Sequence, residues 1–115
     1  MLEIFEAPTN LPLLSFARLA GKSRDQVNRD IKAHRLLSLS LGNRGQRIPD
    51  WQLDPLKHKL VLEVFRLLPQ LGAWEAYRLL SEPSDLLKGC TPVDALHPGN
   101  LESIANLLAG GKRTA

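Results

Sequence analysis

Residues 13–32, LLSFARLAGKSRDQVNRDIK, decide the architecture of this chain. Leu13 to Ala20 is a short apolar run with helical spacing, and Gly21 supplies the left-handed residue on which helices commonly end. Ser23, followed three positions later by Gln26, has the form of a capping box and predicts a second helix running to about His34. Val27 and Ile31 stand four apart, which gives that helix one buried stripe. Two helices that meet at a tight turn need a small residue at the crossing, no Cβ in the turn and branched apolar residues on the second helix. Ala17, Gly21, Val27 and Ile31 fill those positions in order. Burying Val27 and Ile31 turns Asp25, Gln26, Arg29 and Lys32 outward and leaves Asn28 on the flank.

Downstream, Leu36 to Leu41 alternates from Leu37 onward and predicts a half-buried strand. Gly42-Asn43-Arg44-Gly45 is a turn signal, and Arg47-Ile48 a short return strand, so the second helix is followed by a hairpin that can act as a wing. Asp54-Pro55 provides an N-cap and an N1 proline for a helix extending to about Gln70. Its apolar arc (Leu56, Leu60, Val61, Val64, Phe65, Leu67, Leu68, Leu71) is wide enough for packing on two sides, as a central helix or a dimer seam. Gly72 opens another helix that ends at Glu82-Pro83, and Thr91-Pro92-Val93-Asp94 a short one to His97. Pro98-Gly99-Asn100 starts a last helix, Leu101 to Ala109, closed by Gly110-Gly111. Upstream, residues 1–12 carry Pro8 and Pro12 and read as an arm whose Leu2, Ile4 and Phe5 dock as a strand or pack on a partner subunit. The expected units are therefore an arm (1–12), a helix-turn-helix module with its wing (13–53), a helical module (54–111) and a frayed tail (112–115).

Charge divides along the same boundary. Between Leu13 and Pro49 there are eight Lys or Arg and two acids, a net +6, while the rest of the chain holds seven and ten, a net −3. Basic charge gathered on a helix-turn-helix frame is the electrostatic footprint of a duplex-DNA reader. Gln26, Asn28 and Arg29 are side chains able to pair with base edges, Arg24, Lys32 and Arg35 suit phosphates, and Asn43, Arg44 and Arg47 sit where a wing reaches backbone or minor groove. Asp25 is tolerable close to a helix N-terminus. A charge of +6 is modest, so a homodimer, which doubles the contacts, is expected on double-stranded DNA.

Other classes find less support. With 43% hydrophobic and 23% charged residues in 115, the composition is that of an ordinary globular domain. No apolar run approaches the ~20 residues that span a bilayer, so no membrane association is expected. The acidic start at Glu3 and Glu6 lacks the basic region of a secretory signal, and one cysteine, Cys90, excludes an internal disulfide, which together predict a cytoplasmic protein. Gly21-Lys22-Ser23 imitates the end of a phosphate loop, but Phe16 occupies its required earlier glycine position. His34, His58, His97 and Cys90 lack metal-ligand spacing, and no carboxylate pair or Ser/His/Asp grouping stands out. No enzyme, cofactor or metal is expected.

Two resemblances follow from these residues. The pattern from Leu13 to Leu53, closed by Arg47-Ile48-Pro49, resembles the winged helix-turn-helix of MerR-like and excisionase-like proteins. Leu87-Lys88-Gly89-Cys90-Thr91-Pro92, preceded by a helix carrying Trp74 and Tyr77, resembles the turn in the toxin-binding domain of Xre/MbcA/ParS-type antitoxins, although Lys88 and Cys90 replace smaller residues there. The fold so implied is mainly α: a winged helix-turn-helix with a small β-hairpin plus a C-terminal helical bundle module. The function implied is that of a homodimeric bacterial antitoxin that neutralises a cognate protein toxin and represses its own operon by binding operator DNA. The toxin-facing residues would then be Trp74, Tyr77, Leu86, Leu87, Thr91, Pro92, Lys112 and Arg113. Read from the residues alone, Trp74 and Tyr77, three apart, fit a core better than a binding hot spot, Thr91-Pro92 is a helix start, and Lys112-Arg113 a solvating tail. A stand-alone regulator or excisionase-like factor, and an adaptor docking an acidic protein, remain alternatives.

Overall fold

A computed structural model describes residues 2–114, with side chains as far as Gly111. The chain runs α1 (Leu2–Phe5), β1 (Asn10–Pro12), α2 (Leu13–Ala20), α3 (Arg24–Lys32), β2 (Leu39–Ser40), β3 (Gln46–Pro49), α4 (Pro55–Leu67), α5 (Ala73–Ser81), α6 (Pro92–Ala95) and α7 (Leu101–Thr114). It is mainly helical, with one three-stranded antiparallel sheet in the order β1-β3-β2.

Local signals in the decisive stretch act as their chemistry dictates. Gly21 takes φ 68°, and its amide closes α2 on the Ala17 and Arg18 carbonyls. At the start of α3 the Ser23 hydroxyl accepts from the Gln26 amide at 3.1 Å, and the Gln26 side chain accepts from the Ser23 amide at 2.9 Å. Ala17 and Val27 are buried at the helix crossing. Asp54 caps α4, accepting from the Leu56 amide at 2.9 Å.

Five expectations are corrected. Leu2–Phe5 form a helical turn rather than a strand; Phe5 is buried while Leu2 and Ile4 are exposed. The strand of the arm lies later, at Asn10–Pro12, and pairs with β3 (Leu11 opposite Ile48), where Pro12 is tolerated because β1 is an edge. α3 stops at Lys32, because His34 adopts φ 62° and stacks its ring on Phe65 at 3.9 Å. The strand expected over 36–41 shrinks to Leu39–Ser40, since Leu36, Leu37, Ser38 and Leu39 are all buried instead of alternating. α4 ends at Leu67, because Pro69 disfavours helical geometry at Leu68. Finally, α7 passes through Gly110-Gly111, neither of which takes a positive φ, so its backbone continues to Thr114 where a frayed tail was expected.

Two apolar clusters result. Phe16, Ala17, Val27, Leu36 and Ile48 form one beneath α2, α3 and the sheet. Leu37, Leu60, Val61, Val64, Phe65, Ala76, Leu80, Val93, Ile104, Ala105 and Leu108 form the other among α4, α5, α6 and α7. Neighbouring residues Leu36 and Leu37 thus enter different cores. Buried Gln52 locks the backbone between them, its Oε1 accepting from the Leu37 amide and its Nε2 donating to the Leu37 carbonyl, both at 2.8 Å. Since α4 packs on α7 and its neighbours within one chain, its apolar arc is used in the central-helix role.

Candidate nucleic-acid interface

α3 and the β2–β3 hairpin stand side by side and enclose an open groove of about 610 Å³. Its walls are Arg24 and Asn28 from α3, Arg44, Gly45, Gln46 and Arg47 from the hairpin, Pro12 from the end of β1, and Leu13 and Leu14 from the start of α2. The hairpin can turn back on itself because Gly42 and Gly45 take φ 55° and 82°. A second groove runs along the other side of α3, lined by Ser23, Asp25, Asn28, Arg29 and Lys32. Asn28 borders both.

Of the residues expected at this face, Arg24, Arg29, Lys32 and Arg44 are exposed and line one or other groove. Asn43 is exposed at the hairpin tip and borders neither. Gln26 is exposed, but its carboxamide oxygen is committed to the capping box, which ties its side chain back to the helix start instead of leaving it to reach outward. Arg47 is half-buried: its Nη1 donates to the Asn10 carbonyl at 3.3 Å and its guanidinium lies 5.4 Å from the Phe5 ring centre, so it also fastens the arm.

Electrostatics on the remaining flank come from a pairing that no local pattern announced. Asp30 meets Lys22 at 3.0 Å and Arg35 at 3.5 Å. Burial pushes its carboxyl upward, but the hydrogen bond and charge of Lys22, with Arg35, outweigh this and hold its pKa below the usual aspartate value. One of the two acids in the basic stretch is thereby neutralised, and two cations are engaged with it. Arg35 is accordingly less free to meet a phosphate than its position in the sequence implied.

Of the C-terminal residues expected at a partner, Trp74 and Tyr77 make contacts across the molecule. Trp74 Nε1 donates to the Ser40 carbonyl at 2.9 Å, and Tyr77 Oη accepts from Asn10 Nδ2 at 3.3 Å. The two rings meet edge-on at 6.2 Å, so both dock α5 onto the sheet and the arm. Asn10 is the residue sequence reading missed: 1% exposed, it also donates to the Ile4 carbonyl at 2.6 Å. A lone asparagine between two prolines gives no local sign of that long-range role. In the 84–90 turn, Ser84 pairs with Cys90, and Lys88 and Gly89 take φ 57° and 84°. Leu87 leans on the C-terminal core, Thr91 Oγ1 accepts from the Asp94 amide at 3.2 Å, and Pro92 is buried. Leu86, 59% exposed, is the apolar side chain that points out, above a groove of about 570 Å³ whose charged rim is Glu75, Arg78, Glu82 and Asp85. The side chains of Lys112 and Arg113 lie outside the described residues.

Among the described residues no three His, Cys, Asp or Glu side chains converge as metal ligands, and no helix is long and apolar enough to cross a membrane. No family model, curated protein or solved structure matches the chain.

Proposed function

We propose that this protein binds double-stranded DNA through α3 and the β2–β3 hairpin, α2, α3 and the hairpin acting together as a winged helix-turn-helix. The observation that carries the reading is the shared groove, where Arg24 and Asn28 of α3 line the same open channel as Arg44 and Arg47 of the hairpin. A duplex edge entering there meets guanidinium groups from two separate elements, which is what phosphate positioning requires. Of the two acids in the basic stretch, Asp30 is paired away on another flank, and Asp25 lines the groove on the far side of α3, close to the helix N-terminus.

In its fuller form the proposal is an antitoxin: operator binding by the basic half, capture of a protein toxin by the C-terminal half, and a homodimer on DNA. Outward-facing Leu86 and its charged groove are what support a partner site there. One observation favours the second reading, a stand-alone regulator. Trp74 and Tyr77 are spent on joining the two halves and offer little to a toxin.

The test of DNA binding is fluorescence anisotropy with duplexes at about 50 mM salt. Arg24→Ala and Arg44→Ala are each expected to weaken binding several-fold and to flatten the dependence of log Kd on log salt by about one unit, with unchanged far-UV circular dichroism. Equal affinity for wild type and both variants would remove the reading. The antitoxin form requires that co-expression with the product of an adjacent gene relieve that product's toxicity and yield a complex containing both chains.

A further inference from the structure

Resting on the DNA reading above, we infer that Asn28 is the residue that reads a base, and that the base is an adenine presented in the major groove. Arg24, Asn28 and Lys32 stand four apart on α3, a single file of three side chains about 12 Å long on one face of the helix. An uncharged carboxamide sits at the middle of that file with a cation at either end. It borders both the hairpin groove and the groove on the far side of α3, so it occupies the centre of the face a duplex would meet.

The other candidates for base reading are each disposed differently. Gln26 has its carboxamide oxygen bound to the Ser23 amide. Arg47 is tied to Asn10 and Phe5. Arg29 lines the far groove beside Asp25 and also borders the flank occupied by Asp30 and Lys22, away from the hairpin. Asn28 alone combines a central position with both a donor and an acceptor at the end of a short side chain. Paired donor and acceptor match the N6 amino group and N7 of adenine, whereas guanine offers two acceptors at the same edge and favours arginine. With Arg24 and Lys32 on phosphates to either side, the amide is held at base depth.

The experiment selects bound sites from a random duplex pool with the full-length protein, then measures Kd for the best site. That site is compared with versions in which each adenine is replaced by 7-deazaadenine, which lacks only the N7 acceptor. The expected result is one adenine whose replacement weakens wild type by about 10-fold or more. Asn28→Ala should lose a similar factor on the natural site and be indifferent to the replacement, while keeping the wild-type salt dependence and circular dichroism. Asn28→Ala retaining the full penalty for 7-deazaadenine, or a selected site in which no adenine N7 matters, would overturn the inference while leaving DNA binding intact. Failure of the wild type to bind any duplex at low salt would overturn both.

Discussion

Asp30 is an aspartate on a helix proposed to face a polyanion, and its two cationic partners resolve the conflict. Lys22 from the turn and Arg35 from beyond α3 hold it ionised. Because its pKa in the folded chain is depressed, the pairing contributes stability at neutral pH, and that contribution is lost as pH falls through the depressed value, below the ordinary aspartate range. Asp30→Asn is therefore expected to cost no more than about 1 kcal/mol at pH 7, since the partners are largely exposed. It should also flatten the acid limb of a plot of urea midpoint against pH. On DNA the same substitution acts oppositely: releasing Lys22 and Arg35 should tighten duplex binding and steepen the salt dependence by one to two units, as about that many extra phosphate contacts would. Unchanged binding would place this flank away from the nucleic acid.

Element by element, what could be read in the sequence separates by the range of the forces involved. α2 and α3 were legible because their ends are set within four residues: Gly21 in its left-handed turn, Ser23 and Gln26 in their mutual cap. The hairpin was legible from Gly42 and Gly45, and α4 from Asp54-Pro55. What escaped was decided at a distance. β1 exists because β3 offers it an edge, Leu36 and Leu37 break the expected alternation because two cores compete for them, and His34 leaves the helix to stack on Phe65. The candidate face behaves likewise: Arg24, Asn28, Arg29, Lys32 and Arg44 followed from helix and turn geometry, whereas the ties on Arg47 and Arg35 came from Asn10 and Asp30. Gln26 shows the cost of reading one residue for two roles. If its side chain belongs to the helix start, Gln26→Ala should lower stability by about 0.5–1 kcal/mol in urea denaturation and leave the selected DNA sequence unchanged. A shifted base preference in that variant would return Gln26 to the recognition set.

Across the whole molecule, named contacts join the basic stretch to the near-neutral C-terminal half. Trp74 reaches Ser40, Tyr77 reaches Asn10, His58 Nε2 donates to the Arg35 carbonyl at 2.8 Å, and Gln52 grips Leu37 at the point where the chain passes from one core to the other. Several of these links end on the sheet or on the segment that follows α3. The arrangement predicts a single cooperative unfolding transition, with tryptophan fluorescence and far-UV circular dichroism giving the same urea midpoint. Gln52→Leu is the sharpest probe of it. The variant keeps an apolar body of similar size but strands a buried backbone N–H and carbonyl, which is expected to cost about 3 kcal/mol. If the halves are joined as described, both probes should shift together, and duplex affinity at temperatures well below the transition should stay near wild type. A split of the transition in the wild type, or a loss confined to the fluorescence signal in Gln52→Leu, would mean that the basic half folds by itself and that the links through Trp74, Tyr77 and Gln52 only tether it.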